Sequence, residues 1–266
     1  MLRYLLMADP HHGGALAHLS ATIGLSMFLD DYHQYDQGRV LISADQASAF
    51  AKLVAGDFNP IHDADSKRFC VPGDLLFSLV LAHHGVSPRM CFVFAGMVGR
   101  DVPLGFAPTD AQAFDVQDDK GRTYLKVERE GAADQDADRV AALARAYVQF
   151  SGKTFPHLLV PLMADAGVMI NPERPLVIYE RMAVELDRTV FGEPELKYAG
   201  GELKASGKRG EVSLEFELTD ADGVFGTGVK RMLLSGLRPY EQAAMDGVVE
   251  AYEGWRSHYL SAQAAD

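Results

Sequence analysis

The spacing of hydrophobic positions changes along this chain, and the change separates its predicted helices from its predicted strands. Apolar residues recur at intervals of three and four over 44–55, which predicts an amphipathic helix packed on a larger body. Ser43 and Gln46 have the spacing of a capping box at the start of this helix, and Gly56 ends it. A short β-like run at 39–42 precedes it.

A second helix is predicted in the run GDLLFSLVLAHHG, which begins at Gly73. It is apolar on nearly its whole circumference from Leu75 to Ala82, which is typical of a helix enclosed by other elements. An enclosed helix in a modest domain predicts a curved sheet wrapped around it. His83 and His84 at its end are interpreted as capping or surface residues.

Alternating stretches separated by turn residues predict strands through most of the remaining chain. Residues 140–150 are interpreted as one of these strands, although they contain enough alanine to be helical. A helix-like run at 157–170 opens the second half, and a final helix covers 239–260. In chain order, the candidate strands are 90–98, 112–116, 123–129, 140–150, 175–187, 195–205, 211–218 and 226–234.

A helix followed by antiparallel strands therefore occurs twice, which at this length indicates a duplicated domain rather than a solenoid. The predicted class is α+β, with two antiparallel sheets that each wrap a central helix. The second copy lacks the motif GDFNPIH of the first and is degenerate in this sense. The predicted divisions are an N-terminal extension at 1–37, a first unit at 38–150, a second unit at 151–240 and a C-terminal helix at 241–266.

Composition narrows the classes of partner. The chain has 266 residues, 48% of them hydrophobic, a formal charge of −12 and no block of lysine and arginine. This balance argues against nucleic acid and against anionic membrane surfaces as partners. Cys70 and Cys91 stand in apolar surroundings without a CxxC partner, which favours buried thiols in a reducing compartment over a disulfide framework.

The first residues of the chain include Arg3 and an apolar stretch, as a signal peptide does. Asp9 and Pro10 interrupt its apolar stretch after seven residues. No later run reaches the roughly 18–20 apolar residues that a membrane span needs. We therefore expect residues 1–26 to be a poorly ordered extension, Met27 to be an alternative start, and the protein to be cytoplasmic.

Candidate chemistry is concentrated in AGDFNPIH, at 55–62. Gly-Asp and Asn-Pro are turn dipeptides, so an ordinary surface turn is one interpretation. In the other, the rigid hinge of Asn59 and Pro60 folds the chain back and aims Asp57 and His62 into one cleft. A carboxylate and an imidazole that share a water molecule form a general acid/base pair.

GDFNPIH resembles the signature of MaoC-like (R)-specific enoyl-thioester hydratases and 3-hydroxyacyl dehydratases, which have the hotdog fold. The resemblance extends over about 38–150, through SADQASAFAKLVAGDFNPIH, RFCVPGDLLFSLVLAHHG and MCFVFAGMVGRDVPL. It implies a double hotdog in which the second unit, 151–240, is a built-in partner of the first. The run 157–170 and the strand 175–187 would then shape a tunnel for an acyl tail.

The resemblance also implies roles for individual residues. Asp57 and His62 would hold and activate the water that is added to, or removed from, C3 of the acyl chain. Asn59 would orient this pair or help to bind the thioester. The backbone N–H of Gly73, at a helix tip, would donate to the thioester oxygen, and Ser78 would line the same pocket.

One position departs from the family pattern, because Pro72 stands where the family usually has a histidine, which removes a donor. The family needs no metal or redox cofactor and acts on acyl thioesters of CoA or acyl carrier protein. A homodimer of double hotdogs is compatible with this. Three alternatives stay open: a hotdog thioesterase with Asp74 as base or nucleophile, a non-catalytic acyl-thioester binder, and a structural partner subunit.

Overall fold

The computed structural model describes residues 28–264, so the extension expected at 1–26 and the alternative start at Met27 lie outside the described residues. The helices are α1 Ala44–Ala49, which continues as a π-helical turn Phe50–Ala55, α2 Gly73–His84, α3 Ala137–Gly152, α4 Thr154–His157, α5 Leu159–Asp165 and α6 Gln242–Gln263. The strands are β1 Gln34–Asp36, β2 Arg39–Leu41, β3 Arg89–Phe94, β4 Ala113–Gln117, β5 Thr123–Glu130, β6 Val168–Met169, β7 Val177–Leu186, β8 Glu195–Ser206, β9 Arg209–Asp220, β10 Gly223–Ser235 and β11 Arg238–Pro239.

A seven-stranded antiparallel sheet of order β4-β5-β3-β7-β10-β9-β8 forms the frame of the molecule. The two halves of the chain meet where β3 pairs with β7, with Met90 opposite Val184 and Phe92 opposite Met182. The predicted α+β class is confirmed, and the two predicted sheets are joined into one through this pair of strands. The sheet is compatible with a double hotdog.

The segment before the turn at 55–62 begins as the sequence predicts and ends differently. Ser43 and Gln46 form the predicted capping box of α1. The helix then widens into the π-helical turn, which was not predicted, and ends at Gly56 with φ +68. The amide of Asp57 donates to the carbonyl of Ala51 at 2.8 Å, so the turn begins directly against the helix end.

Helix α2 is enclosed, as its uniform apolarity predicts. Its residues 75–81 are all buried. On one side the Phe77 ring meets Phe92 of the sheet at a centroid distance of 5.0 Å, and on another it meets Tyr147 of α3 at 4.6 Å. Large aromatic side chains that are buried this deeply contribute strongly to stability.

The interpretation of 140–150 as a strand was wrong, because these residues belong to α3. Asp136 caps the helix by accepting from the amide of Arg139 at 3.0 Å. Val140, Ala144 and Tyr147 are buried at intervals of four and three, which is the period of a helix face. The predicted division at 150/151 falls within the last turn of this helix and stays a prediction.

The single helix predicted at 157–170 is also wrong in its extent. Helices α4 and α5 are separated at Leu158, and the chain then turns at Gly167, with φ +66, into β6. Pro161 lies in the first turn of α5, where the missing N–H costs no hydrogen bond. Helix α5 contributes Leu159 and Met163 to a second apolar cluster with strand and α6 residues.

The final helix is confirmed as α6, which is 22 residues long and packs through Met245 and Tyr252. Within residues 28–264, no helix combines the length and the apolarity needed to cross a membrane.

The two cysteines are both free and half-buried. Cys91 accepts from the guanidinium of Arg181 at 3.2 Å, so its surroundings are not purely apolar.

The interpretation of His84 as a capping or surface residue was wrong. His84 is fully buried and stacks on Phe114 at a centroid distance of 4.1 Å. Burial, together with the positive charge of Arg129, lowers the pKa of His84 to about 4. His83 is less enclosed, and its ring accepts or donates a hydrogen bond at 3.0 Å with the Tyr35 hydroxyl.

This lowered pKa predicts a pH dependence of stability. An unfolded histidine binds a proton near pH 6.5, whereas folded His84 stays neutral down to about pH 4. The contribution of His84 is therefore present above pH 6.5 and is lost as pH falls toward 4. We expect the melting temperature of His84→Leu to fall less over this range than that of the wild type, while exposed His258→Leu follows the wild type. Parallel curves for wild type and His84→Leu would contradict the assignment.

Candidate functional site

The turn between α1 and α2 brings Asp57 and His62 together. Asn59 accepts from the amide of Ile61 at 3.2 Å and caps a short 3-10 turn, Pro60–His62. The amide of Asn59 donates to Oδ1 of Asp57 at 2.9 Å. These contacts leave Oδ2 of Asp57 at 3.7 Å from Nε2 of His62.

The imidazole is oriented by a second contact. Nδ1 of His62 lies 2.7 Å from the carbonyl oxygen of Cys70, which can only accept, so Nδ1 carries the hydrogen. In the neutral ring, Nε2 then presents its lone pair toward Asp57. The separation of 3.7 Å is too long for a direct hydrogen bond and suits a bridging water. The His62 side chain is 13% exposed and that of Asp57 is 32% exposed, so solvent reaches the pair.

The C-terminal helix holds the turn in place. The amide of Phe58 donates to the Tyr252 hydroxyl at 3.1 Å, and that hydroxyl donates to the carbonyl of Gly56 at 3.4 Å. The Phe58 ring also meets Tyr252 and Tyr259 edge to face. The sequence analysis missed these residues, because 194 positions separate Phe58 from Tyr252 and nothing local connects them.

This contact predicts a destabilised turn in Tyr252→Phe. The substitution keeps the ring and leaves the Phe58 amide without its partner, which costs about 1–3 kcal/mol for a buried donor. We expect denaturant unfolding at lower concentration and faster amide exchange at 56–62. Tyr240→Phe is the matched control, because its hydroxyl donates to Gln242, which is exposed. Equal stability of the two variants would show that the hydroxyl does not hold the turn.

The tip of α2 lies against aromatic side chains from both halves of the chain. A Cβ atom added to Gly73 would lie 2.9 Å from Phe94 and 3.2 Å from Tyr179, so these two rings, stacked at a centroid distance of 4.2 Å, pack closely against the glycine. The first amides of a helix have no intrahelical partner, so they are available to an acceptor. Ser78 is buried one turn further on, and its hydroxyl donates to the carbonyl of Asp74 at 2.8 Å.

A buried polar cluster lies behind this tip, and the sequence analysis did not predict it. Asp74 is half-buried as a residue, but its Oδ1 atom is inaccessible and has no hydrogen-bond partner among the described residues. Lys230, from β10, is buried and donates to the Ser151 hydroxyl at 2.6 Å and to the Thr154 hydroxyl at 3.4 Å. Its ammonium also lies 4.6 Å from the centre of the Tyr179 ring.

Burial dominates the electrostatics of this cluster. It raises the pKa of Asp74, and the positive charge of Lys230 offsets part of the rise. It lowers the pKa of Lys230, against the attraction of Asp74 and Asp57. Tyr147 and Tyr179 are hydrogen-bonded to each other, and burial raises the pKa of both hydroxyls well above the usual range.

The second half reaches the tip through Tyr179 of β7 and Lys230 of β10. Helix α5, from the run predicted to shape a tunnel, belongs to the other apolar cluster. A groove of about 550 Å³ lies between α4, α5 and α6, and its lining does not include Asp57 or His62. The tunnel stays a prediction.

Comparisons with solved structures give distant likenesses. An acyl-CoA thioesterase II, TesB2, from Mycobacterium marinum is 10% identical, with 64% of this chain and 90% of that chain covered and a TM-score of 0.37. A conserved protein of unknown function with hot dog fold from Alicyclobacillus acidocaldarius is 9% identical, with 80% and 99% covered and a TM-score of 0.41. An N-terminal dehydratase from the difficidin assembly line is 11% identical, with 67% and 87% covered and a TM-score of 0.31.

At these scores and identities, the activity of this chain has to be argued from its own residues. A comparison with curated proteins finds no match. A family model described as a protein of unknown function matches residues 27–243, which is most of the chain and includes the candidate turn, the α2 tip and Lys230. The chain therefore belongs to the DUF3581 family.

Proposed function

We propose that the protein is a hydro-lyase that adds water to trans-2-enoyl thioesters and removes it from (R)-3-hydroxyacyl thioesters. The observation that carries this proposal is the pair of Asp57 and His62, which face each other at a distance that one water molecule can bridge. The motif that builds the pair resembles that of MaoC-like hydratases, and α2 begins at Gly73, three positions after Cys70, whose carbonyl orients His62.

The geometry supports a division of labour within the pair. Because Nδ1 of His62 is bound to a carbonyl, Nε2 is the free acceptor and takes the proton from the water. Asp57 accepts the second hydrogen of that water and stabilises the imidazolium that forms. The water oxygen bonds to C3, and the electron pair of the C2–C3 double bond moves toward the thioester carbonyl. A proton then returns to C2, so that one water is added and no redox step occurs.

The amides at the α2 tip would receive the developing charge. Negative charge on the thioester oxygen is stabilised by N–H groups and by the positive end of the helix dipole. The Gly73 amide is the proposed donor, and the stacked rings of Phe94 and Tyr179 pack against the side of Gly73 where another residue would carry its Cβ. Asn59 is already used to shape the turn, which favours a role in orientation over direct contact with the thioester.

Hydrolysis of the thioester is the second candidate function. It is favoured by Asp74 at the same helix tip, whose buried Oδ1 has no hydrogen-bond partner within residues 28–264. As a base or nucleophile, this carboxylate would release a free thiol. Proposed substrates in both cases are acyl groups carried on CoA or on acyl carrier protein, and a homodimer remains compatible with either activity.

Both activities are tested with the same substrate. Purified full-length protein is incubated with crotonyl-CoA and longer 2-enoyl-CoA esters, and the loss of conjugated absorbance is followed beside the release of free thiol. Hydration without thiol release supports the proposal. Thiol release that keeps pace with substrate loss would replace it with the thioesterase. Binding of the ester without either change would leave a non-catalytic acyl-thioester binder.

A further inference from the structure

The buried ammonium of Lys230 is not accounted for by the proposed reaction. It contacts two hydroxyls and one aromatic face rather than a carboxylate. A fully buried charge is costly unless an opposite charge balances it. The anions that act on Lys230 are Asp74 and Asp57, since both raise its pKa against the effect of burial.

Three contacts hold the cation behind the tip of α2. Its ammonium donates to the hydroxyls of Ser151 at 2.6 Å and Thr154 at 3.4 Å and lies 4.6 Å from the centre of the Tyr179 ring. That ring lies 3.2 Å from the Cβ position of Gly73, which precedes Asp74. Lys230 and Tyr179 come from β10 and β7, so these contacts join the second half of the chain to the tip of the first central helix.

We propose that Lys230 is a positioning residue of the candidate site: held behind the α2 tip by Ser151, Thr154 and Tyr179, it supplies the positive charge that balances Asp74. Without this charge, Asp74 would oppose the negative charge that develops at the helix tip during the proposed reaction. The second half would then supply the balancing cation as well as structural support.

Two other cations near Asp57 and His62 already form ion pairs with carboxylates. Lys52 is bound by Asp63 at 2.7 Å on the side of α1. On α6, Arg256 pairs with Glu253 at 3.5 Å. Among the described residues, the groups that a contact or an electrostatic effect ties to Asp57 or His62 are Cys70, Asp74, Lys230 and Tyr252.

The test reads the charge near His62 in the absence of substrate. Protein labelled with ¹³C-histidine is titrated by NMR, and the His62 ring signal is assigned by its loss in His62→Gln. Removing the cation in Lys230→Met is expected to move the titration midpoint of this signal to higher pH, by roughly 0.3–1 pH unit. Removing the anion in Asp74→Asn is expected to move it to lower pH, and the double variant should return close to the wild type.

Lys204→Met is the matched control, because this lysine is 71% exposed on β8 and pairs with Glu202. A midpoint in Lys230→Met that moves no further than in this control, or in the same direction as in Asp74→Asn, would overturn the inference. If Lys230→Met alone does not fold, the comparison of Asp74→Asn with the double variant decides, because adding Lys230→Met must move the midpoint back up.

The result of this titration is independent of the result of the hydration assay, although both concern the same site. Opposite shifts in a protein without hydratase activity would support the balancing charge and reject the reaction. Hydratase activity together with unchanged His62 titration midpoints would support the reaction and reject the balancing charge. In an active protein, the acid limb of the pH profile of kcat/KM should move as the ring signal does, which a merely structural lysine would not cause.

Discussion

Asp57→Asn and His62→Gln are each expected to lower kcat for hydration of a 2-enoyl thioester by about 10²–10⁴-fold, the usual contribution of a general acid/base. The neutral amide of Asn does not stabilise the imidazolium as a carboxylate does, and Gln has no ring nitrogen to take the proton. Both side chains are partly exposed, so neither substitution empties a core position. We therefore expect a large loss of rate with little loss of stability.

The measurement is the full dependence of rate on enoyl-CoA concentration, together with the melting temperature of each variant. Asp65→Asn is the matched control, since this exposed carboxylate lies on the same loop, three positions beyond His62. It should keep the wild-type rate. Turnover within a few-fold of wild type in both Asp57→Asn and His62→Gln would remove these residues from the mechanism, and a rise in KM alone would make them binding residues.

The pair of Asp57 and His62 was predictable because the contacts that build it are local. Asn59 is bonded to Asp57 and Ile61, each two positions away, and Pro60 fixes the direction of the chain. The residues of such a motif fix the shape of the turn by contacts with one another. The capping box of α1 was predictable for the same reason, since Ser43 and Gln46 satisfy each other.

The remaining parts of the site depend on contacts between distant segments. Tyr252 reaches the turn across 194 positions, and Lys230 reaches Ser151 across 79. In the sequence, Lys230 is one cation in a strand with an ordinary polar pattern. It becomes distinctive only when β10 pairs with β7, which places it beneath the Tyr179 ring and behind the α2 tip.

The mistaken strand at 140–150 has a related cause. Apolar residues are so frequent in this segment that they fit both the helical period of 3.6 residues and the strand period of two. A short apolar run therefore does not distinguish a helix from a strand. The deciding signals were the cap at Asp136 and the alanines at 141, 142, 144 and 146, which favour a helix. Recognising α3 matters for the site, because this helix carries Tyr147 and Ser151 into the polar cluster.

Gly152→Ala is expected to have the largest effect among substitutions that leave every polar contact of the site unchanged. Gly152 ends α3 against the last residue of the π-helical turn, and an added Cβ would lie 2.7 Å from the carbonyl carbon of Ala55 and closer still to its oxygen. Backbone atoms cannot move away as a flexible side chain can. We expect the free energy of unfolding to fall by about 3 kcal/mol or more, at the upper end for overpacking.

The same displacement should reach the candidate pair, because only Gly56 separates Ala55 from Asp57. Activity per folded molecule should therefore fall together with stability, which denaturant unfolding and hydration assays measure separately. Gly247→Ala provides the control: this exposed glycine in α6 has open space around its Cβ position and should gain about 0.5–1 kcal/mol from helix propensity. Wild-type stability in Gly152→Ala would mean that α3 does not support the turn by direct backbone contact.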